Sequence, residues 1–353
     1  MAFIKGFSEQ RLTTHVTFLV SDDKGSKVKE VFPHVDFIYM WDKFPIKNRL
    51  ISQIQLEYNA RRYTRLLPKG ATVFLPWPSS RLMSLLVGRS DLKVFYEETE
   101  LPELYLMKLF NIKSYLKSIQ KLTGVFLIST ALKKYFIEHG VSPERIHIVN
   151  MIVDTTRFHN VLKEKSHERY IAYCGTVTST KDGVDDLIKA FAIVNKKHPD
   201  VKLFIIGPIP GNKEENVFVK LVGELGLTDS VHFTGIVPYD KMPQILKNAE
   251  ILALARPDNI QAKYGFPTKL GEYLLTGNPV VLTSVGDIPH FLKDGESALI
   301  ATPNNPNLFA EKLNWALDYK DESEQLGQKG RSVAENCFNY KTETQKIINI
   351  ING

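Results

Sequence analysis

Short runs of β-branched and aromatic residues punctuate the first half of the chain: HVTFLVS (15–21), HVDFIYM (34–40), ATVFLPW (71–77), LKVFYEE (92–98) and GVFLIST (124–130). Each has the length of one strand and is mostly apolar, the pattern of a strand buried on both faces. Between them, 48–67 and 101–122 carry apolar residues at helical spacing, so strand and helix alternate as in a parallel sheet covered on both sides. The second half repeats the plan. Strands are expected at 169–175, 201–207, 230–236, 250–255, 279–284 and 298–301, with helices at 184–197, 214–225, 242–247, 269–276, 288–292 and 307–316.

The fold class this predicts is α/β, with two doubly wound, Rossmann-like domains. Residues 154–169 are polar, charged and short of large aliphatics, as an interdomain connection should be. The expected division is a first domain at 1–155, a second at 156–338, and a C-terminal helix within 339–353 that can pack back on the first. The chain opens directly with an apparent helix, 3–10, that feeds the strand at 15. In a doubly wound domain a central strand and a Gly-rich turn normally precede that helix. Two expectations follow: a short but complete domain with an unusual sheet order, or a start downstream of the full-length one, which the strand-order rule favours.

Composition changes this picture little. An apolar fraction of 43% and a charged fraction of 24% are those of a globular protein. Cys174 and Cys337 form no metal-ligand or redox spacing, so a reducing compartment, the cytoplasm, is expected. The apolar runs are too short to cross a bilayer. Charge is uneven: residues 1–160 carry 23 Lys+Arg against 15 Asp+Glu, within a net +6 for the whole chain. A basic half can face nucleic acid, anionic lipid or an acidic substrate, and charge does not choose among them.

The chemistry concentrates at 264–281, Tyr-Gly-Phe-Pro-Thr-Lys-Leu-Gly-Glu-Tyr-Leu-Leu-Thr-Gly-Asn-Pro-Val-Val. A tight Gly265-Phe266-Pro267 turn leads into a helix whose first turn holds Thr268, Lys269, Leu270 and Glu272. Amides at a helix start suit an anion, and Lys269 adds a full positive charge. A carboxylate one turn in, Glu272, can accept two hydrogen bonds from a vicinal diol such as a ribose. A second cluster is Tyr173-Cys174-Gly175 followed by Lys181-Asp182-Gly183-Val184.

These residues resemble a family-4 glycosyltransferase, marked by a Glu-x7-Glu loop and a following Gly-x-Pro-Val strand. The resemblance covers nearly the whole chain, including 203–207, 231–235, 283–289 and the Val-Asp-x-x-x-Phe segment within 149–158. It implies the GT-B architecture, two Rossmann-like domains facing across a cleft, with retention of anomeric configuration. Glu272 matches the second Glu, implied to hold the nucleotide ribose, and Tyr264 stands where the first would contact the transferred sugar. Lys181 matches the phosphate-binding lysine. The family often has an arginine after the glycine of the first turn; here it is Thr176, and Arg256 is the candidate replacement.

The reaction so implied breaks a bond from an anomeric carbon to a nucleoside diphosphate, which demands positive charge at the departing phosphate. Lys181, Arg256 and Glu272 are the expected catalytic contributors. Gly175, Lys181, Arg256 and 264–270, with Glu272, are expected to line the donor. No Asp-x-Asp pair is present, consistent with a site that uses no metal, and no cofactor beyond the donor substrate is expected. Tyr264 either packs or covers the donor sugar. Glu97, Glu98 and Glu100 follow a strand end and either face the acceptor or are loop surface charge.

The expected partners are a nucleotide-sugar donor and a glycan or lipid-linked acceptor, with no nucleic acid. Lys113, Lys117 and Lys121 share one face of the expected helix, opposite Leu109, Ile112, Leu116 and Ile119. Such a helix either lies peripherally on anionic lipid or packs on the core with a solvated lysine face. The alternative functions are a catalytically impaired nucleotide-sugar-binding protein and a nucleotide-sugar epimerase.

Overall fold

The apolar runs become parallel strands in the computed structural model of the protein, which describes residues 1–19, 27–28, 30–40, 49–76, 80–106, 112–164, 168–211 and 216–353. Expected positions 20–21, 48, 77, 107–111, 165–167 and 214–215 lie outside the described residues. The chain divides into two units, one of 1–150 with 340–353 and one of 151–339.

In the first unit β1 (Thr14–Phe18) pairs with β2 (Val35–Tyr39), and β3 (Thr72–Leu75), β4 (Lys93–Glu98), β5 (Gly124–Leu127) and β6 (Ile146–Ile148) form a second parallel sheet in that order. Burial follows position in the sheet. The inner strand β5 is buried at every residue, whereas β1 and β2 have no fully buried residue. Strand β6 and the helix Thr130–Glu138 were not expected from the sequence. That helix is capped by Ser129, whose hydroxyl accepts from the Leu132 amide, and it buries Leu132, Tyr135 and Phe136. The lysine-faced helix is Ile112–Ile119: Tyr115, Ser118 and Ile119 are buried and Lys113 and Lys117 exposed, while Lys121 lies beyond its end.

The first helix, Ala2–Glu9, packs on the last, Tyr340–Asn352. Gln10 donates to Thr344 Oγ1 at 2.6 Å and the Tyr340 hydroxyl donates to Glu9 Oε1 at 2.8 Å. Gly6 allows the close approach, since a Cβ there would lie 2.3 Å from Thr344 Oγ1 and 2.5 Å from its Cγ2. Thr344 is fully buried and β-branched, so it cannot swing aside. Gly6→Ala is expected to destabilise the first unit by about 1–3 kcal/mol, read as a lowered urea midpoint.

The second unit holds one six-stranded parallel sheet, ordered β12-β11-β10-β7-β8-β9. Its strands are β7 (Arg169–Cys174), β8 (Val201–Ile206), β9 (Val231–Gly235), β10 (Ile251–Leu254), β11 (Val280–Thr283) and β12 (Leu299–Ala301). The chain builds outward from β7 to β9, then returns to lay β10 against the other side of β7. That reversal leaves a crevice beyond the carboxyl ends of β7 and β10, the place where open α/β sheets bind ligands. Helix Val184–Lys197 covers one face with Val184, Leu187, Ile188, Phe191 and Val194, all fully buried at helical spacing. Among the described residues no helix is long and apolar enough to cross a membrane.

Candidate functional site

The two turns beside the crevice are set by glycine. Strand β7 is followed by Gly175, where a Cβ would lie 2.5 Å from Lys269 Nζ and 2.8 Å from the Tyr173 hydroxyl. Gly183 has φ +64°, and a Cβ there would lie 1.9 Å from the Ala255 carbonyl oxygen. φ is positive at both, +154° at Gly175 and +64° at Gly183, and at Gly183 the obstacle is backbone, so glycine is what lets each turn close. The result is that the 175–183 loop lies against the end of β10, where Arg256 follows.

Lys269 opens the helix Lys269–Leu275 and reaches back beneath Gly175. Its ammonium donates to Asp182 Oδ2 and lies 5.0 Å from the Tyr173 ring centroid. Asp182 is nearly fully buried and also accepts from the Tyr173 hydroxyl at 2.7 Å. Burial pushes the Lys269 ammonium below the usual lysine range, Asp182 opposes that, and the positive charge of Arg256 adds to it. Arg256 is 2% exposed, and its backbone carbonyl accepts from Thr283 Oγ1 at 2.6 Å. Lys269 and Arg256 are thus near enough to feel each other's charge, and Asp182 is the buried counter-ion of Lys269. The same helix is fixed to β7 through Tyr273, whose hydroxyl accepts from the Cys174 amide at 2.5 Å.

Several sequence expectations change in this light. Lys181 lies on the exposed side of the short helix Ser179–Asp182, and the inward position is held by Asp182 instead. Phe266 is a packing residue, set edge-on to Phe291 at 5.5 Å and against Phe338 at 5.6 Å. Gly265 and Pro267 are buried with it. The Leu270 amide donates to the Pro267 carbonyl at 3.0 Å, so this helix-start amide is turned to the chain and not to an anion. Thr268 begins the helix without capping it through its side chain. Tyr264 is half-buried at the end of helix Ile260–Tyr264, with Lys263 Nζ 5.5 Å from its ring.

Glu272 meets a partner that sequence reasoning missed. Arg157 Nη1 donates to Glu272 Oε1, and Arg157 Nη2 donates to the Tyr239 carbonyl at 2.9 Å. The guanidinium also lies 3.7 Å from the centroid of the Tyr239 ring. Arg157 is aimed by its local turn, the 3₁₀ segment Thr155–Phe158, which Asp154 caps by accepting from the Thr156 amide and which Phe158 anchors in the core. The available signal was its place inside the Val-Asp-x-x-x-Phe segment.

In the first unit the three glutamates at the end of β4 separate. Side chains alternate along a strand, so Glu97 and Glu98 face opposite ways. Glu98 is 2% exposed; its Oε2 accepts from the hydroxyls of Tyr96 at 2.8 Å, Tyr115 at 2.7 Å and Tyr105, and its Oε1 from the amides of Thr99 at 3.0 Å and Glu100 at 3.2 Å. Such a saturated carboxylate has little capacity left for an acceptor, which corrects its assignment to the acceptor side. Glu100 is half-buried beside it.

Glu97 is also shifted: burial, then the charge of Glu98, pushes it up to about 8. A carboxyl raised in the folded state costs nothing at pH 4.5 and costs most above pH 8, where the folded chain must carry the charge. Because Glu97 is half-buried, Glu97→Gln is expected to be about 1–2 kcal/mol more stable than the parent at pH 8.5 and equal to it at pH 4.5. Urea midpoints at the two pH values measure this.

Buried cations at the switch point of a doubly wound parallel sheet, with a carboxylate one turn along the same helix, are the arrangement of phosphate-handling α/β proteins. Residues 154–333 match the family Glycosyl transferases group 1, over more than half of the chain, and the protein belongs to that family. The MMP alpha-(1->4)-mannosyltransferase of Mycolicibacterium hassiacum is 27% identical over 221 residues, 62% of this chain and 51% of that protein. The D-inositol 3-phosphate glycosyltransferase of Corynebacterium efficiens is 25% identical over 221 residues, 59% and 51% of the two chains. The chain spans about half the length of these curated relatives. Among solved structures, HepE of Anabaena in complex with UDP and glucose superposes with a TM-score of 0.74 at 16% identity, covering 99% of this chain and 95% of that one. Sucrose-phosphate synthase of Thermosynechococcus elongatus gives 0.76 at 14%, covering 99% and 91%. At these identities the likeness is one of fold, and it is to glycosyltransferase folds built from two Rossmann-like units.

Proposed function

We propose that the second unit binds the nucleoside diphosphate of a nucleotide-sugar and that the chain transfers the sugar to an acceptor hydroxyl. The observation that carries this is Lys269 beneath the Gly175 turn, with Arg256 just past the Ala255 carbonyl that meets Gly183 and Glu272 one helical turn along from Lys269. Cleaving the anomeric bond leaves negative charge on the diphosphate. Lys269 is placed to neutralise it, exchanging Asp182 for a phosphate oxygen, and Arg256 supplies a second positive charge from the end of β10. Glu272 takes the ribose hydroxyls. With two cations serving the leaving group, we propose transfer that proceeds without a divalent metal.

The donor we propose is a nucleoside-diphosphate hexose, in keeping with the UDP and glucose held by HepE. The acceptor is a glycan or lipid-linked sugar, met at the inner face of the membrane by the basic first unit. The two free cysteines suit that reducing compartment. Tyr264, in place of a carboxylate at the sugar position, motivates a second reading, donor binding without turnover. A thermal-shift panel of UDP-, GDP-, ADP- and CDP-sugars, followed by assay of nucleoside diphosphate release with EDTA present, separates these. A donor that raises the melting temperature and is cleaved supports transfer. Binding without release supports the second reading, and no shift with any donor removes both.

A further inference from the structure

Arg157 joins two walls of the second unit. One nitrogen reaches Glu272 on the helix Lys269–Leu275, and another reaches the Tyr239 carbonyl in the loop after β9. The side chain is 12% exposed and that of Glu272 26%, so this is no solvated surface pair. An exposed ion pair also lacks the stacking on Tyr239 and the bond to its carbonyl that hold this guanidinium in one plane. Glu272 is gripped through Oε1 alone. Among the described residues none donates to Oε2, which leaves that oxygen for a ligand.

We propose that Arg157 is a positioning residue for the donor: it clamps one oxygen of Glu272 so that the other meets the ribose diol of the nucleotide. The proposal rests on the donor reading given above. A glutamate has three side-chain torsions to freeze before it can bind a diol, and a partner that freezes them beforehand leaves more of the hydrogen-bond energy in the affinity. Arg157 touches no ligand group in this scheme, and its effect passes through Glu272.

The test is the preference for ribose itself. Affinities of UDP and GDP are measured by calorimetry beside their 2′,3′-dideoxy counterparts, for the parent, Arg157→Met, Glu272→Gln and the double variant. Hydrogen bonds to a charged group predict a parental preference for the ribonucleotide of roughly 10- to 100-fold. Arg157→Met is expected to reduce it to within about threefold of unity, as Glu272→Gln does, with no further loss in the double variant. Taking the ratio cancels any general loss of positive charge. Arg157→Lys, which keeps the charge and the stem, is expected to restore part of the preference and stands in if the methionine variant does not fold. A parental ratio retained by Arg157→Met, or by Arg157→Lys in its place, overturns the proposal, as does a parent that binds nucleotide with no preference for ribose. A parent that binds neither nucleotide overturns the donor reading and this proposal with it.

Discussion

Lys269→Met is expected to fail in two separable ways. Removing the ammonium leaves Asp182 buried without its cation, and breaking a buried pair from one side typically costs about 3–5 kcal/mol. The orphaned carboxylate also repels the diphosphate that the lysine would have received. The single variant is therefore expected to melt lower and to show no measurable transfer. Asp182→Asn combined with Lys269→Met removes both charges and keeps a side chain that can pair with the Tyr173 hydroxyl. This double variant is expected to regain most of the stability and still to lose roughly 10²–10³-fold in kcat, the usual cost of deleting one preorganised stabiliser of developing charge. Melting temperature and nucleoside diphosphate release, measured on both proteins, give the two effects independently. Turnover at the parental rate in the double variant would show that Lys269 serves only to neutralise Asp182.

What the sequence made legible here was whatever rests on apolar pattern. Helix Val184–Lys197 has the boundaries its spacing implies, because a strong apolar stripe and a glycine before it mark both its face and its start. Helix Lys320–Cys337 passed unseen, since its buried seam is Ser323, Gly327, Gly330 and Ala334 with only Leu326 as a large residue. Small residues there admit close backbone contact: a Cβ on Gly327 would lie 2.5 Å from the Gly277 carbonyl oxygen. Such a seam is a matter of distance and leaves no hydrophobic period. The site was half legible for a similar reason. Lys269, Arg256 and Glu272 stand out as charges in a loop-and-helix pattern, but which lysine turns inward depends on Asp182 being buried, a fact of packing across 87 residues of chain. The pairing of Arg157 with Glu272 spans 115 residues: the Val-Asp-x-x-x-Phe segment marks Arg157, but nothing local names its partner.

The same dependence on packing makes Glu98 the most consequential residue of the first unit. Its carboxylate gathers three phenolic hydroxyls and two backbone amides from β4 and the segment that follows it, with Tyr115 reaching in from helix Ile112–Ile119. Tyr96 and Tyr115 are both buried, so a hydroxyl that loses this acceptor has no water to turn to. Burial pushes the carboxyl above the usual carboxylate range, and the hydroxyls of Tyr105, Tyr115 and Tyr96 oppose that rise. Glu98→Leu is expected to cost about 3–5 kcal/mol, because it fills the volume yet leaves several buried donors without an acceptor. Glu98→Gln keeps one acceptor oxygen but turns an amide N–H toward a tyrosine hydroxyl, which can rotate to accept it, so a smaller loss is expected. The damage should be confined to the first unit, visible as a lost near-ultraviolet tyrosine signal and an early transition in urea, while any nucleotide-sugar that stabilises the parent still stabilises the second. A Glu98→Leu protein that unfolds at the parental midpoint yet fails to accept sugar would reverse the assignment and return Glu98 to the acceptor site.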